Sequence, residues 1–283
     1  MRHFERISDR LNKSKNLSCM SIALITFREG LEAAIIVGTL LSFIRALKVS
    51  KADLYVWLGV AIGLIASVVF AWVFNSFFGG FVGKNEKIYE GILMLVGGLM
   101  ILQVSYWMKH NAKKYLTNLK SQIAVSIEQG TLFTIATIVA LSVMREGVET
   151  VIFIEALQAQ SDTALSLPMA IGGIVASILL AIALFFGSKK LPIKQIFSVS
   201  TTLLFMIAAG LLAHAVVEFQ GAGWLPIIIK PLYDLSSVFS EKEGFGAILK
   251  GLFGYDANPS LIAVLVYWCV LLLGIWDFLR GKK

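Results

Sequence analysis

Charge is what this chain has least of. Only 15% of its 283 residues are Asp, Glu, Lys or Arg, while 57% are hydrophobic and the mean hydropathy is +0.80. Soluble domains carry about 25% charged residues, so a water-exposed globule is excluded and lipid is the solvent that fits. No long polar stretch could fold as a second domain, which leaves one membrane domain. Cysteine is almost missing. Cys19 precedes the first apolar run and Cys269 lies within the last, which excludes a disulfide framework or a thiolate metal site. There is no Walker-type phosphate loop and no haem, copper or flavin motif, so no cofactor is expected. The net charge of +7 comes from Lys and Arg in short loops. No aromatic and basic residues interleave in a stripe, which sets nucleic acid aside.

What is present is a series of apolar runs. A spanning helix needs about 20 such residues, and seven runs qualify: 21–44, 54–77, 88–108, 131–157, 168–187, 197–219 and 261–279. The fold class read from them is all-α integral membrane with seven transmembrane helices. The connections are short except 220–260, an outer loop expected to hold short interfacial helices. Loops around Arg45–Lys51, Lys109–Lys120 and Lys189–Lys194 and the tail Arg280–Lys283 carry 13 Lys and Arg, against 5 in the other loops. The positive-inside rule makes the first group cytoplasmic, so the amino terminus lies outside and the carboxyl terminus inside. Residues 1–19 oppose this with five basic residues. They are read as a basic extension, with Met20 as the expected start and 20–283 as a single transmembrane domain.

Charge returns at two places inside the apolar runs. Arg28-Glu29-Gly30-Leu31-Glu32 in the first run recurs as Arg145-Glu146-Gly147-Val148-Glu149 in the fourth, 117 residues on. Three spans per copy put the second copy into the membrane upside down. The expected plan is therefore an inverted 3+3 repeat, about 21–108 and 131–219, plus one helix. Both glutamate pairs fall roughly 12–17 Å below the outer face at the helical rise. Two antiparallel helices would then bring four carboxylates to one level, with Gly30 and Gly147 letting the two approach.

On a helical wheel the Arg and both Glu of each copy share one face. A charge at the bilayer centre costs at least about 2.5–3.5 kcal/mol, so six such groups must face one another or a wet cavity. Arg28 reaches Glu32 at i,i+4, and Arg145 reaches Glu149. The surplus of carboxylate favours a cation or a proton, and carboxylate oxygens suit hard cations.

The paired R-E-G-x-E motifs in the first and fourth spans resemble those of the oxidase-dependent iron transporters, which include the fungal high-affinity iron permease and a bacterial ferrous uptake permease. Tyr106-Trp107-Met108 and the GAGWLP and GYDANPS segments are similar to that family more weakly. The resemblance implies a permease, not an enzyme, moving iron inward across a bacterial inner membrane. The iron would travel as Fe(III), made from Fe(II) by an external iron-oxidising or iron-delivering partner. It implies Glu29, Glu32, Glu146 and Glu149 as iron ligands, with Arg28 and Arg145 supporting them. The outer loops lack the tight Glu-x-x-Glu motif of the family.

Glu155, beyond Glu149 toward the outside, is a candidate to pass the ion on. His214 and Glu218, at i,i+4 in the sixth span, could bind metal or relay a proton. Gly59 and Gly63 read as a packing motif. Alternatives to iron are Mn(II) or Pb(II). From other classes, paired carboxylates could activate water in an intramembrane hydrolase, or the ion pairs could only stiffen a scaffold.

Overall fold

The structure is a computed structural model. It describes residues 20–49, 51–78, 83–160, 166–186, 193–236, 239, 246, 249–250 and 253–280. The extension 1–19 lies outside the described residues. Among them, seven long helices follow one another: α1 (Met20–Ala46), α2 (Ala52–Phe78), α3 (Lys84–Glu128), α4 (Leu132–Gln160), α5 (Ser166–Phe186), α6 (Ile193–Gly221) and α7 (Leu261–Arg280). Each expected run coincides with one helix, and most ends agree to within about three residues. Four helices, α2, α3, α5 and α6, are long and apolar enough to cross a membrane, and α7 carries a shorter apolar stretch. α1 and α4 are as long as the others, but each has an Arg and two Glu near its middle.

The third helix departs from expectation. Lys109–Lys120 reads as a loop, yet α3 continues without a break to Glu128. No Gly or Pro interrupts 99–129, and Lys, Ala, Leu and Gln are good helix formers. The extension also has an apolar side, since Leu119 and Ile123 are buried against α1, α2 and α4. At 1.5 Å per residue α3 is about 67 Å long, roughly twice the hydrocarbon thickness.

The bundle interior divides into two apolar clusters. One joins Ile22 and Ile25 of α1 to Met94 and Ile101 of α3, Phe153 and Leu157 of α4, and Leu204 and Leu211 of α6. The other joins Ile36, Leu40 and Ile44 of α1 to Val56 of α2, Ile123 of α3, and Ile135, Val139 and Val143 of α4. The start of α1 thus meets the end of α4, and the end of α1 meets the start of α4: the two helices run antiparallel. The outer faces of α2 and α5 remain apolar and exposed, with Leu64, Ile65, Val68 and Trp72 on one and Ile171, Val175 and Leu179 on the other. Such a surface suits lipid.

The motif glycines face different neighbours from those expected. They do not bring α1 to α4. A Cβ at Gly30 would lie 2.4 Å from Ser177 Oγ on α5, and one at Gly147 would lie 2.0 Å from Ser67 Oγ on α2. Each glycine admits a serine of an outer helix, and each serine hydroxyl donates back to its own helix, Ser67 to the Gly63 carbonyl at 2.8 Å and Ser177 to the Ile174 carbonyl at 2.7 Å. Gly59 and Gly63 do act in packing, since a Cβ at either would strike the Ala136 or Ala140 carbonyl of α4.

Residues 222–236 form turns, tied back by Leu232 N–H to the Pro259 carbonyl (2.9 Å) and Leu235 N–H to the Ala257 carbonyl (3.0 Å). The Ser236 amide and hydroxyl both donate to Asp234 Oδ1 at 2.9 and 2.6 Å, which holds that exposed carboxyl below its ordinary range. The interfacial helices expected here fall largely outside the described residues.

Gly147→Ala tests the α2–α4 contact. Ala gains about 1 kcal/mol over Gly in a helix, but a methyl 2.5 Å from Ser67 Cβ forces backbone movement, and overpacking costs about 1–3 kcal/mol. The expected result is a lower unfolding midpoint in detergent, restored by adding Ser67→Gly. A double variant no more stable than Gly147→Ala would contradict the contact.

Candidate metal centre

Between the two apolar clusters, where α1 and α4 cross, lie the charges. Arg28, Glu29, Glu32, Glu146 and Glu149 are all buried; Glu29 is 1% exposed and Arg28 3%. Helical spacing puts Arg28, Glu29 and Glu32 on the inward face of α1, one turn from Ile25 on one side and from Ile36 on the other. On α4 the same order runs in reverse, from Val143 through Glu146 and Glu149 to Phe153. Carboxylate oxygens of Glu29, Glu32 and Glu146 all lie within 4.8 Å of one another. Three of the four glutamates singled out from sequence therefore meet, from two helices 117 residues apart.

The two arginines are not equivalent. Arg28 Nη1 bonds Glu29 Oε1, and its Nη2 lies 2.8 Å from Glu32 Oε1. It bridges both acids of its own motif in a dry interior. The Glu32 contact is an ion pair without hydrogen-bond alignment, so both Glu32 oxygens lack a hydrogen-bond partner among the described residues, as do Glu29 Oε2, Glu146 Oε2 and Glu149 Oε2. Arg145 is about one-third exposed and, among the described residues, pairs with Glu149, Nε to Oε1 at 2.8 Å. Its guanidinium stacks over the Trp107 ring, 4.8 Å from the centroid, and lies 5.8 Å from that of Tyr115. The two rings meet edge to face at 5.5 Å, and the Tyr115 and Ser142 hydroxyls are 3.3 Å apart.

Glu149, paired to Arg145 beside this box, is not among the clustered oxygens. Trp107 and Tyr115 are missed by sequence reasoning. Trp107 enters the sequence reading only within the Tyr106-Trp107-Met108 segment, without a role, and Tyr115 falls in the supposed loop. The R-E-G-x-E repeat itself carries no sign that one arginine would be stacked and the other enclosed. Glu155 is half-buried. It lies nine residues beyond Glu146, about 180° round the helix and 14 Å along it, and is not brought to the cluster. His214 Nδ1 is 3.0 Å from Gln160 Nε2 and 3.0 Å from the Gly210 carbonyl oxygen, near the far end of α4.

Buried carboxylate oxygens without donors are costly. Four acids face two guanidiniums here, and the imbalance is concentrated where Glu29, Glu32 and Glu146 converge. The donors are all hard oxygens from rigid helices, an arrangement able to strip and hold a small multivalent cation.

A helical bundle with an apolar outer face and a carboxylate cluster at its centre is an integral membrane protein with a site able to hold a cation. Residues 19–276 match the model of the Iron permease FTR1 family, and the chain belongs to that family: it is an iron permease by descent. Among similar proteins are the ferrous iron permeases EfeU of Yersinia pestis, 31% identical over 252 residues covering 88% of this chain and 89% of the relative, and of Escherichia coli (strain UTI89 / UPEC), 27% identical over 263 residues covering 92% and 95%. No solved structure matches the chain at a significant level.

The arginine asymmetry has a measurable consequence. Arg28→Ala strands two buried carboxylates and should cost about 3–5 kcal/mol, seen as loss of folded protein in detergent. Arg145→Ala removes a partly exposed pair and a stacking contact, worth about 1–2 kcal/mol together, and should remain folded. Equal losses would contradict the inequivalence of the two sites.

Proposed function

We propose that this chain is a seven-span permease that carries iron inward through the carboxylate cluster of α1 and α4. The single observation that carries this reading is the convergence of Glu29, Glu32 and Glu146 oxygens within 4.8 Å in a chain of the iron permease family. These three are the ligands, Glu149 joins them when Arg145 releases it, and Arg28 limits the negative charge so that binding is reversible. The all-carboxylate donor set favours a hard ion, so the species in transit is Fe(III). A partner oxidase at the outer surface produces it from Fe(II), the form in the names of the relatives. Glu155, on another face of α4, acts on the approach to the cluster.

The helices are arranged as two inverted copies, α1–α3 and α4–α6, followed by α7, with residues 20–283 as one domain. Support comes from packing. α1 lies against α5 as α4 lies against α2, while α3 packs on α6 and α1 on α4, and these pairs exchange with one another; the close packing of α3 on α4 has only a slight counterpart between α6 and α1. The Gly30–Ser177 and Gly147–Ser67 contacts follow the same exchange. The excess of Lys and Arg in one set of loops, including the end of α3, orients the chain with its amino terminus outside. The bacterial relatives favour the inner membrane.

Apolar layers on both sides of the cluster imply an occluded state. Ile22, Ile25, Phe153 and Leu157 close it toward the outside, and Ile36, Leu40, Val139 and Val143 toward the inside. Transport requires these layers to part in turn.

Radioactive iron uptake into proteoliposomes tests the reading. Glu29→Gln, Glu32→Gln and Glu146→Gln keep the shape of each side chain and should each lower saturable uptake at least about 100-fold, the equivalent of roughly 2.7 kcal/mol of lost interaction. Glu149→Gln should reduce it less, and Glu155→Gln should raise the half-saturating iron concentration only. Saturable uptake that survives all three cluster substitutions would remove the site.

A further inference from the structure

A second set of hard donors lies away from the motifs. A cavity of about 290 Å³ opens between α6, the start of α7 and the segment 253–259, and His214, Tyr233, Tyr255, Asp256 and Tyr267 line it. Three phenols, a carboxylate and an imidazole come from four separate places in the chain. Most of the remaining wall is apolar, including Phe253 and Trp268.

The cavity is built rather than incidental. Gly254, at φ 63°, lies directly on Gly210 of α6. A Cβ on either glycine would fall within 2.1–2.5 Å of the other's Cα. This backbone-to-backbone contact brings the segment that carries Tyr255 and Asp256 onto α6 at Gly210, one helical turn before His214. Asp256 Oδ1 accepts the Asn258 amide at 2.8 Å, which fixes the carboxylate. His214 Nδ1 lies 3.0 Å from the Gly210 carbonyl oxygen, which holds the ring in place. That is the usual way a ligating imidazole is oriented. His214 also contacts Gln160, the last residue of the helix that carries Glu146 and Glu149, which lie about 21 and 17 Å back along its axis.

We infer that this cavity is a loading site for a trivalent iron ion, held by the phenol oxygens of Tyr233, Tyr255 and Tyr267 with Asp256 and His214. The inference rests on the iron permease reading above and adds the place where the ion is first bound. Phenolate and carboxylate are hard anionic donors, and their preference for an ion rises with its charge, so the site favours Fe(III) over Fe(II). Each ligating phenol gives its proton to water, the ion exchanges aqua ligands for phenolate, and no electron moves. The apolar wall lowers the local dielectric and strengthens each contact. The site therefore supplies the outer capture that the missing Glu-x-x-Glu motif leaves open.

The test uses the purified full chain in lipid nanodiscs with ferric nitrilotriacetate as the probe, read by the visible phenolate-to-iron charge-transfer absorption and its resonance Raman modes. The parent should show the band. Glu29→Gln/Glu32→Gln/Glu146→Gln should keep it, and Tyr233→Phe/Tyr255→Phe/Tyr267→Phe should lose it. In proteoliposomes the tyrosine variant should need about tenfold more iron for half-maximal uptake while its maximal rate is unchanged, which also reports that it is folded. Asp256→Asn should weaken the band without abolishing it. A parent that transports iron and shows no band overturns the loading site and leaves the permease reading standing. A band of equal strength in the tyrosine variant means adventitious ferric binding only, and overturns it too. A band that persists in a protein whose uptake ignores the cluster substitutions keeps this site and removes the reading of α1 and α4.

Discussion

Everything in this molecule is organised around the cost of burying charge. Six ionisable side chains in the middle of an apolar bundle cannot be solvated by lipid, and no single helix can satisfy its own three. α1 and α4 must face each other, antiparallel, so that carboxylates of one lie beside guanidinium and carboxylates of the other. The remaining helices then screen this pair from lipid: α5 against α1, α2 against α4, with α3 and α6 closing the interior. Small residues set how closely they come. The Gly30–Ser177 and Gly147–Ser67 contacts are the same solution used twice.

The buried charge is not balanced evenly, and function follows from the imbalance. Arg28 is committed to two acids in a closed environment. Arg145 is shared between Glu149 and two aromatic rings on α3. A duplicated motif has thus diverged in its surroundings while keeping its residues. One copy encloses its arginine between two acids, and the other holds its arginine between an aromatic box and Glu149. The apolar layers above and below keep water from relieving the frustration, and on the proposed reading a passing cation partners the oxygens that have no donor among the described residues. Tight binding would trap the ion. On the proposed reading, Arg28 holds the affinity down and Arg145 displaces the cargo.

Much of this was legible in the sequence, because burial cost and helical period act locally. The matching motifs, their common depth and the shared face of Arg28, Glu29 and Glu32 follow from composition, a 3.6-residue period and a count along each helix. The neighbours of Gly30 and Gly147 did not follow, since they depend on how helices cross. Trp107 and Tyr115 were hidden by the lysines around them, which look like a loop, although the uninterrupted helix formers of 99–129 were a signal. The cavity beside His214 joins residues spread from 214 to 267, and only the contact of Gly254 on Gly210 brings them together.

The central claim is that Glu29, Glu32 and Glu146 hold the ion in passage. Anomalous diffraction at the iron absorption edge, from crystals of the protein grown with ferric iron, addresses it without reference to transport rate. The account predicts an anomalous peak bonded to oxygens of all three glutamates between α1 and α4, at carboxylate–metal distances. A well-occupied iron elsewhere in the membrane interior, with those three side chains still paired only to Arg28 and to one another, would contradict it.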